Sequence, residues 1–235
     1  MKKLLYLLSV MLLISCINVS YSEVIKNINS KGFNKLLKNG DGIIIDVRTP
    51  DEFNSGHIKD ASNIDFYSDE FINKLEVVRK DAPIYIYCRS GSRSLQAAIK
   101  MKELGFNNIY NLIGGINAWN SAKYSMTKSI STKKINNRRY SILDIEDISR
   151  NNETVLLGFS TQWCSPCKKM KPVIQNIQEE NPRIKIVSID ADSNKELVKK
   201  YKIRGIPEFI VLKNNKEMFR HIGIISKEEL IKELY

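Results

Sequence analysis

Three cysteines in this chain stand where a sulfur atom can do chemistry. Cys88 lies in "YIYCRSGSRSLQAA", at the end of an apolar strand-forming run and just ahead of a helix-forming one. A thiol at the C-terminal end of a parallel strand meets converging backbone N–H groups and the positive end of the next helix. Both favour the thiolate, which is the reactive form. Gly91 permits loop conformations that a β-carbon forbids. Ser92 and Ser94 are candidate caps, and Arg89 and Arg93 add positive charge around Ser90 and the thiol. Cys164 and Cys167 make the second site, in "QWCSPCKKM". In a Cys-x-x-Cys pair at a strand-to-helix junction, the first cysteine is exposed at the helix N-terminus with a lowered pKa. The second resolves mixed disulfides.

The fourth cysteine, Cys16, ends "MKKLLYLLSVMLLISC". Lys2 and Lys3, followed by an apolar run from Leu4 to Ile14, have the anatomy of a secretory signal. The run is shorter than the roughly 20 residues that cross a bilayer. Export would leave one close cysteine pair and one lone thiol, which suits chemical sites better than a disulfide framework.

These sites need elements to hold them, and 235 residues suffice for two domains. From about Tyr21 to Tyr124, the buried-type runs "GIIIDV", "APIYIYC" and "NNIYNLIGG" alternate with helical patterns in "SDEFINKLEVVRKD" and "SLQAAIKMKELGF". Ser68 is a plausible N-cap for the first of these helices. Such alternation predicts a mainly parallel α/β sheet. "KYSMTKSISTKKINNRRY" carries six basic residues and no acidic one, and reads as a solvated linker over residues 125–139. Beyond it, strands in "ETVLLGFS", "IKIVSIDAD" and "PEFIVLKNN" predict a second α/β domain. Its helices follow "WCSPC" and lie at "SNKELVKKY" and "SKEELIKELY".

The net charge of +11 is scattered and lacks an aromatic-rich basic face, so no nucleic-acid partner is expected. A structural zinc site wants four ligands, and His57 and His221 are the only histidines. No metal and no cofactor is expected.

The motifs resemble known families. "LISC" is similar to the bacterial lipobox, which implies a signal peptide over residues 1–15 and lipid on Cys16. That places the protein in the cell envelope, anchored to a membrane and facing the periplasm or exterior. "DVRTPDEFNSGHIKDASNI", "YCRSGSRS" and "LIGGINAW" together resemble the signature regions of a single-domain rhodanese, over residues 21–124. The resemblance implies that Cys88 takes a sulfane sulfur from a donor as a persulfide and passes it to a thiol acceptor. It makes Arg89, Ser90, Gly91, Ser92 and Arg93 the substrate loop. Asp46, Arg48 and Glu52 then brace loops, and His57 is a hydrogen-bonded structural residue. Asp60 departs from the family's usual glycine. The related phosphatase loop reads His-Cys-x5-Arg, whereas here Tyr87 precedes Cys88 and four residues separate it from Arg93.

"FSTQWCSPCKKMKP", "DADSN", "YKIRGIPEF" and "GIISKEEL" resemble thioredoxin over residues 140–235. Trp163 flanks the dithiol, and Pro207 matches the family's cis-proline, which helps hold substrate. Gly158 replaces the buried aspartate that aids proton transfer, and Ser188 its lysine neighbour. Glu208 beside Pro207 is expected to oppose thiolate formation, with Lys168 and Lys169 offsetting it. The function so implied is exported sulfur transfer coupled to thiol–disulfide exchange, with an envelope thiol reductant as a further partner. In the coupled scheme Cys164 takes the outer sulfur from Cys88 and Cys167 expels it. The rival is an independent disulfide reductase whose rhodanese part is a binding module.

Overall fold

The computed structural model describes residues 24–40, 42–128 and 138–235. Cys16 with its signal segment, and residues 129–137 of the linker, lie outside the described residues. Two α/β domains follow one another. The first contains β1 (Ile25–Ile28), α1 (Ser30–Lys38), β2 (Ile43–Asp46), α2 (Pro50–Ser55) and β3 (Ser62–Asn63). It continues through α3 (Phe71–Glu76), β4 (Ile84–Tyr87), α4 (Ser92–Glu103), β5 (Ile109–Leu112) and α5 (Gly115–Ser121). Its sheet runs β1-β5-β4-β2-β3 with every pairing parallel, as helical crossovers between strands require. Ile84, Ile86 and Cys88 face one core, whereas Tyr85 and Tyr87 face the other. With both faces covered, β4 reads as an unbroken apolar run rather than an alternating one.

The second domain contains α6 (Ile142–Arg150), β6 (Thr154–Ser160), α7 (Ser165–Glu180) and β7 (Lys185–Asp190). Then come α8 (Lys195–Lys200), β8 (Glu208–Lys213), β9 (Lys216–Ile222) and α9 (Lys227–Leu234). Its sheet runs β7-β6-β8-β9; β6 and β7 are parallel and the other pairs antiparallel. Val155, Leu157 and Phe159 bury toward one side of this sheet, and Leu156, Phe209 and Val211 toward the other.

One predicted helix is shorter than its apolar pattern. Ser68 does not cap it: α3 begins at Phe71, and the Ser68 hydroxyl accepts from the Glu70 N–H. The helix also stops at Glu76, before the two valines that continue the pattern. Val78 buries in the first domain's core, but Val77 buries in the second domain's. Two valines drawn into different cores cannot share one helical stripe. Among the described residues, no helix is long and apolar enough to cross a membrane.

Candidate functional sites

The strand β4 delivers Cys88 to its C-terminal end, and Gly91, at φ 97°, turns the chain into α4. This tight turn brings donors onto the sulfur. The Gly91 N–H donates to Cys88 Sγ at 3.1 Å, and the Ser94 hydroxyl lies 3.5 Å from it. Burial alone would push the thiol up. The Ser94 hydroxyl and the N–H groups of Ser94, Ser90 and Gly91 more than offset that, and the pKa is lowered. Gly114 and Gly115 turn β5 into α5 beneath the loop. There the Ile116 N–H donates to the Cys88 carbonyl at 2.8 Å. A β-carbon on Gly115 would come within 2.4 Å of that carbonyl oxygen, so the close approach requires glycine.

Several side chains differ from the sequence expectation. Gly91 occupies the N-cap of α4 without a side-chain cap, and Ser92 is the first helical residue. Ser94, one turn into the helix, points inward instead, reaching Asn111 Oδ1 at 2.7 Å as well as the Cys88 sulfur. Arg93 does not hold a free charge over the loop. Its guanidinium forms two 2.8 Å hydrogen bonds to the Glu52 carboxylate. The Arg93 hydrogen bond holds the Glu52 carboxyl at about 2 despite partial burial. Arg89 and Ser90 are exposed at the rim.

Below the loop, Arg48 donates from Nε and Nη2 to Asp46, closest at 2.6 Å, and from Nη2 to the Gly56 carbonyl at 2.8 Å. Both side chains are buried. Burial opposes the Arg48 charge, but the hydrogen bond and charge of Asp46 outweigh it and raise the pKa. His57 Nδ1 lies 3.0 Å from the Phe53 carbonyl and its ring stacks on Phe53; burial lowers its pKa. These residues tie down α2 and the turns around it.

The dithiol is presented in the same strand-to-helix manner. Cys164 is the N-cap of α7, and its sulfur accepts from the Cys167 N–H at 3.1 Å. The pair is joined as a disulfide. Trp163 Nε1 donates to Asp192 at 2.8 Å. The Ile206–Pro207 peptide is cis. Gly158 and Ser188 are register partners on β6 and β7, so the two departures from the thioredoxin pattern sit side by side.

Two expectations are corrected here. Glu208 does not set an unmatched charge beside the dithiol. Its carboxylate accepts from the Arg204 N–H at 2.9 Å and pairs with the Arg220 guanidinium, so its charge is locally matched. Nor does Lys169 offset Glu208, since it pairs with Asp60 at 2.8 Å. The second correction concerns access. Cys164 is 2% exposed and Cys167 7%, because the first domain lies across them. The Val77 carbonyl accepts from the Ile206 N–H at 3.0 Å, and the Ser62 hydroxyl from the Ser165 N–H at 2.9 Å.

Sequence reasoning missed Asn111 and the Arg93–Glu52 pair. It also took Ser94 for a cap. The signal for Ser94 was present, since a residue in the first turn after Gly91 can lie over the helix N-terminus. Asn111 comes from strand β5 and Glu52 from helix α2, placements that no local pattern around Cys88 reports.

Comparison with known proteins covers both halves. Residues 30–122 match the family model described as Rhodanese-like domain, and residues 133–235 the one described as Thioredoxin. The chain is 37% identical over 78 residues to a thioredoxin of Chlamydia trachomatis, covering 33% of this chain and 76% of that protein. It is 38% identical over 79 residues to Thioredoxin H5 of Oryza sativa subsp. japonica, covering 34% of this chain and 58% of that protein's length. Among solved structures, a rhodanese-related protein from Thermoplasma volcanium is 27% identical with a TM-score of 0.40. That alignment covers 44% of this chain and 99% of the other.

Proposed function

We propose that this chain, which belongs to the thioredoxin family and carries a rhodanese-like domain ahead of its thioredoxin domain, is a sulfurtransferase coupled to thiol–disulfide exchange. The observation that carries the sulfur-transfer half is the set of donors converging on Cys88 Sγ. They stabilise a thiolate, and they would equally hold the terminal sulfur of a persulfide. The thiolate attacks the outer sulfur of thiosulfate or of a persulfide donor. A sulfur–sulfur bond forms on Cys88 as the donor's own breaks, and sulfite or a thiolate leaves with the electron pair. An acceptor thiolate then takes the outer sulfur and frees Cys88.

The dithiol supplies such an acceptor. Thiolate Cys164 attacks the outer sulfur, Cys88 leaves as thiolate, and Cys167 then displaces hydrosulfide from Cys164 and closes the disulfide. The persulfide sulfur is thereby reduced by two electrons and the dithiol oxidised; a further thiol reductant restores it. The residues around the Cys88 loop, Glu52, Arg93 and Gly115, differ from those over the dithiol, Ser62 and Val77. Transfer to Cys164 needs the Ser62 and Val77 contacts over the dithiol to open.

The test is intact-mass analysis, after thiosulfate or a small persulfide, of protein whose Cys164–Cys167 pair is kept as the disulfide and so cannot discharge Cys88. One added sulfur atom is expected, located on Cys88, and removed by dithiol reductant. A protein that never gains sulfur on Cys88 would leave the first domain as a binding module.

We place the activity in the cell envelope, with lipid on Cys16 holding the protein to a membrane; the "LISC" ending supports this. Expression in bacteria with labelled fatty acid is expected to label the protein. Label that persists in Cys16→Ala would contradict the anchor.

A further inference from the structure

A dithiol that exchanges disulfides has to be reached, yet here the chain's own first domain lies over it. Beyond the end of α3 at Glu76, Val77 leaves the first domain and packs among Cys164, Cys167 and Ile206. Its carbonyl accepts from the N–H of Ile206, the residue before Pro207, at 3.0 Å. Two residues on, Arg79 lies in a slot floored by two glycines. A β-carbon on Gly205 would come within 2.3 Å of its Cγ, and one on Gly223 within 2.4 Å of its guanidinium. Around this seat the Ser62 hydroxyl accepts from the Ser165 N–H at 2.9 Å, and Lys169 pairs with Asp60 at 2.8 Å. Asp60 holds φ 65°, a conformation that aspartate tolerates better than most residues. Trp163 packs against both domains' cores. Main chain, apolar side chain and charge all mark the same contact.

We propose that Val77–Arg79 is a built-in occupant of the dithiol's partner-binding face, so that another protein's thiol or disulfide reaches Cys164 only after the two domains part. The seat also describes the partner it fits. That partner offers an extended segment with a main-chain carbonyl beside an aliphatic side chain, and a long basic side chain two residues later. Such a segment can compete with Val77–Arg79 for the Ile206 N–H and the glycine slot. The full chain thereby keeps its dithiol out of contact with unsuitable proteins. The proposal rests on reading Cys164–Cys167 as an exchange site, and its test separates the two.

The oxidised full chain is treated with excess water-soluble phosphine, and loss of the disulfide is followed by quenched alkylation and intact mass. Val77→Asp is expected to speed reduction more than about tenfold, because a carboxylate cannot be buried unpaired in that seat. Lys169→Glu sets two carboxylates together at an exposed pair and is expected to speed it roughly two- to fivefold. Adding Asp60→Lys to Lys169→Glu is expected to restore the wild-type rate, which a general loosening of the fold would not do. Rates within twofold of wild type in both single variants overturn the proposal. Acceleration by Lys169→Glu that Asp60→Lys fails to reverse also overturns it. The phosphine cleaves a disulfide whether or not the pair is catalytic, so equal rates leave the exchange reading intact. Conversely, an opened Val77→Asp protein that cannot reduce insulin disulfides removes that reading alone.

Discussion

Replacing Cys88 by serine is expected to abolish transfer of sulfur from thiosulfate to cyanide, by on the order of 10⁴-fold or more. The cradle would still be present, since Gly91, Ser94 and the Gly114–Gly115 turn are unchanged. What is lost is the atom that ionises and forms the sulfur–sulfur bond, and a serine hydroxyl does neither near neutral pH. The pH profile provides the finer check. Burial raises the Cys88 pKa, but the Ser94 hydroxyl and the amides of Ser94, Ser90 and Gly91 lower it below its ordinary value. The wild-type rate should therefore climb with pH and level off before an ordinary thiol would have ionised. Ser94→Ala removes one donor to the thiolate, so its rising limb should move to higher pH, with the plateau largely retained. A Cys88→Ser protein within tenfold of wild type would remove Cys88 from the chemistry. An unmoved limb in Ser94→Ala would remove Ser94 from the control of its pKa.

The second large effect concerns stability. Arg48→Met is expected to destabilise the first domain by about 3–5 kcal/mol, because it leaves the Asp46 carboxylate buried without its partner. Replacing both residues, as Asp46→Leu with Arg48→Met, should recover much of that loss, since no charge then remains to be desolvated. Trp119 belongs to the first domain and Trp163 to the second, so urea unfolding in a Trp163→Phe background reports the first domain through Trp119. If Arg48→Met costs less than about 1 kcal/mol while sulfur transfer collapses, Arg48 acts on substrate and not as a brace.

The two thiol sites were legible because each is built from a short stretch of chain. An apolar run, a cysteine, a small-residue turn and a helical pattern together put Cys88 where main-chain donors converge, whatever surrounds the domain. The same logic put Cys164 at the cap of α7 and Cys167 within one turn of it. Strand and helix order followed from buried runs alternating with helical ones, and that order requires the parallel sheet of the first domain. The strands β1 and β9 and the two-residue β3 were not read from the sequence, nor were helices α1, α2, α5 and α6. β1 is only partly buried, so "IKNI" lacks a continuous apolar signature, and β3 is too short to show a period.

Charge partners were decided elsewhere. Arg93 and Glu208 stand beside the two reactive sites in sequence, and from that nearness each would be assigned an electrostatic effect on its sulfur. In the folded chain Arg93 is matched by Glu52, brought in by the cap of α2, and Glu208 by Arg220 from the neighbouring strand β9. A charge pairs with whatever the packing brings within hydrogen-bond reach, and sequence proximity does not specify that. The covering of the dithiol is the extreme case. Ser62 meets Ser165 across 103 positions. Val77 leaves its helix for a place in the other domain's core. The sequence by itself determined where the candidate reactive sulfurs stand, because that placement is a property of local strand–turn–helix geometry. Only the tertiary structure decided whether those atoms can be reached, because access depends on how two finished surfaces fit.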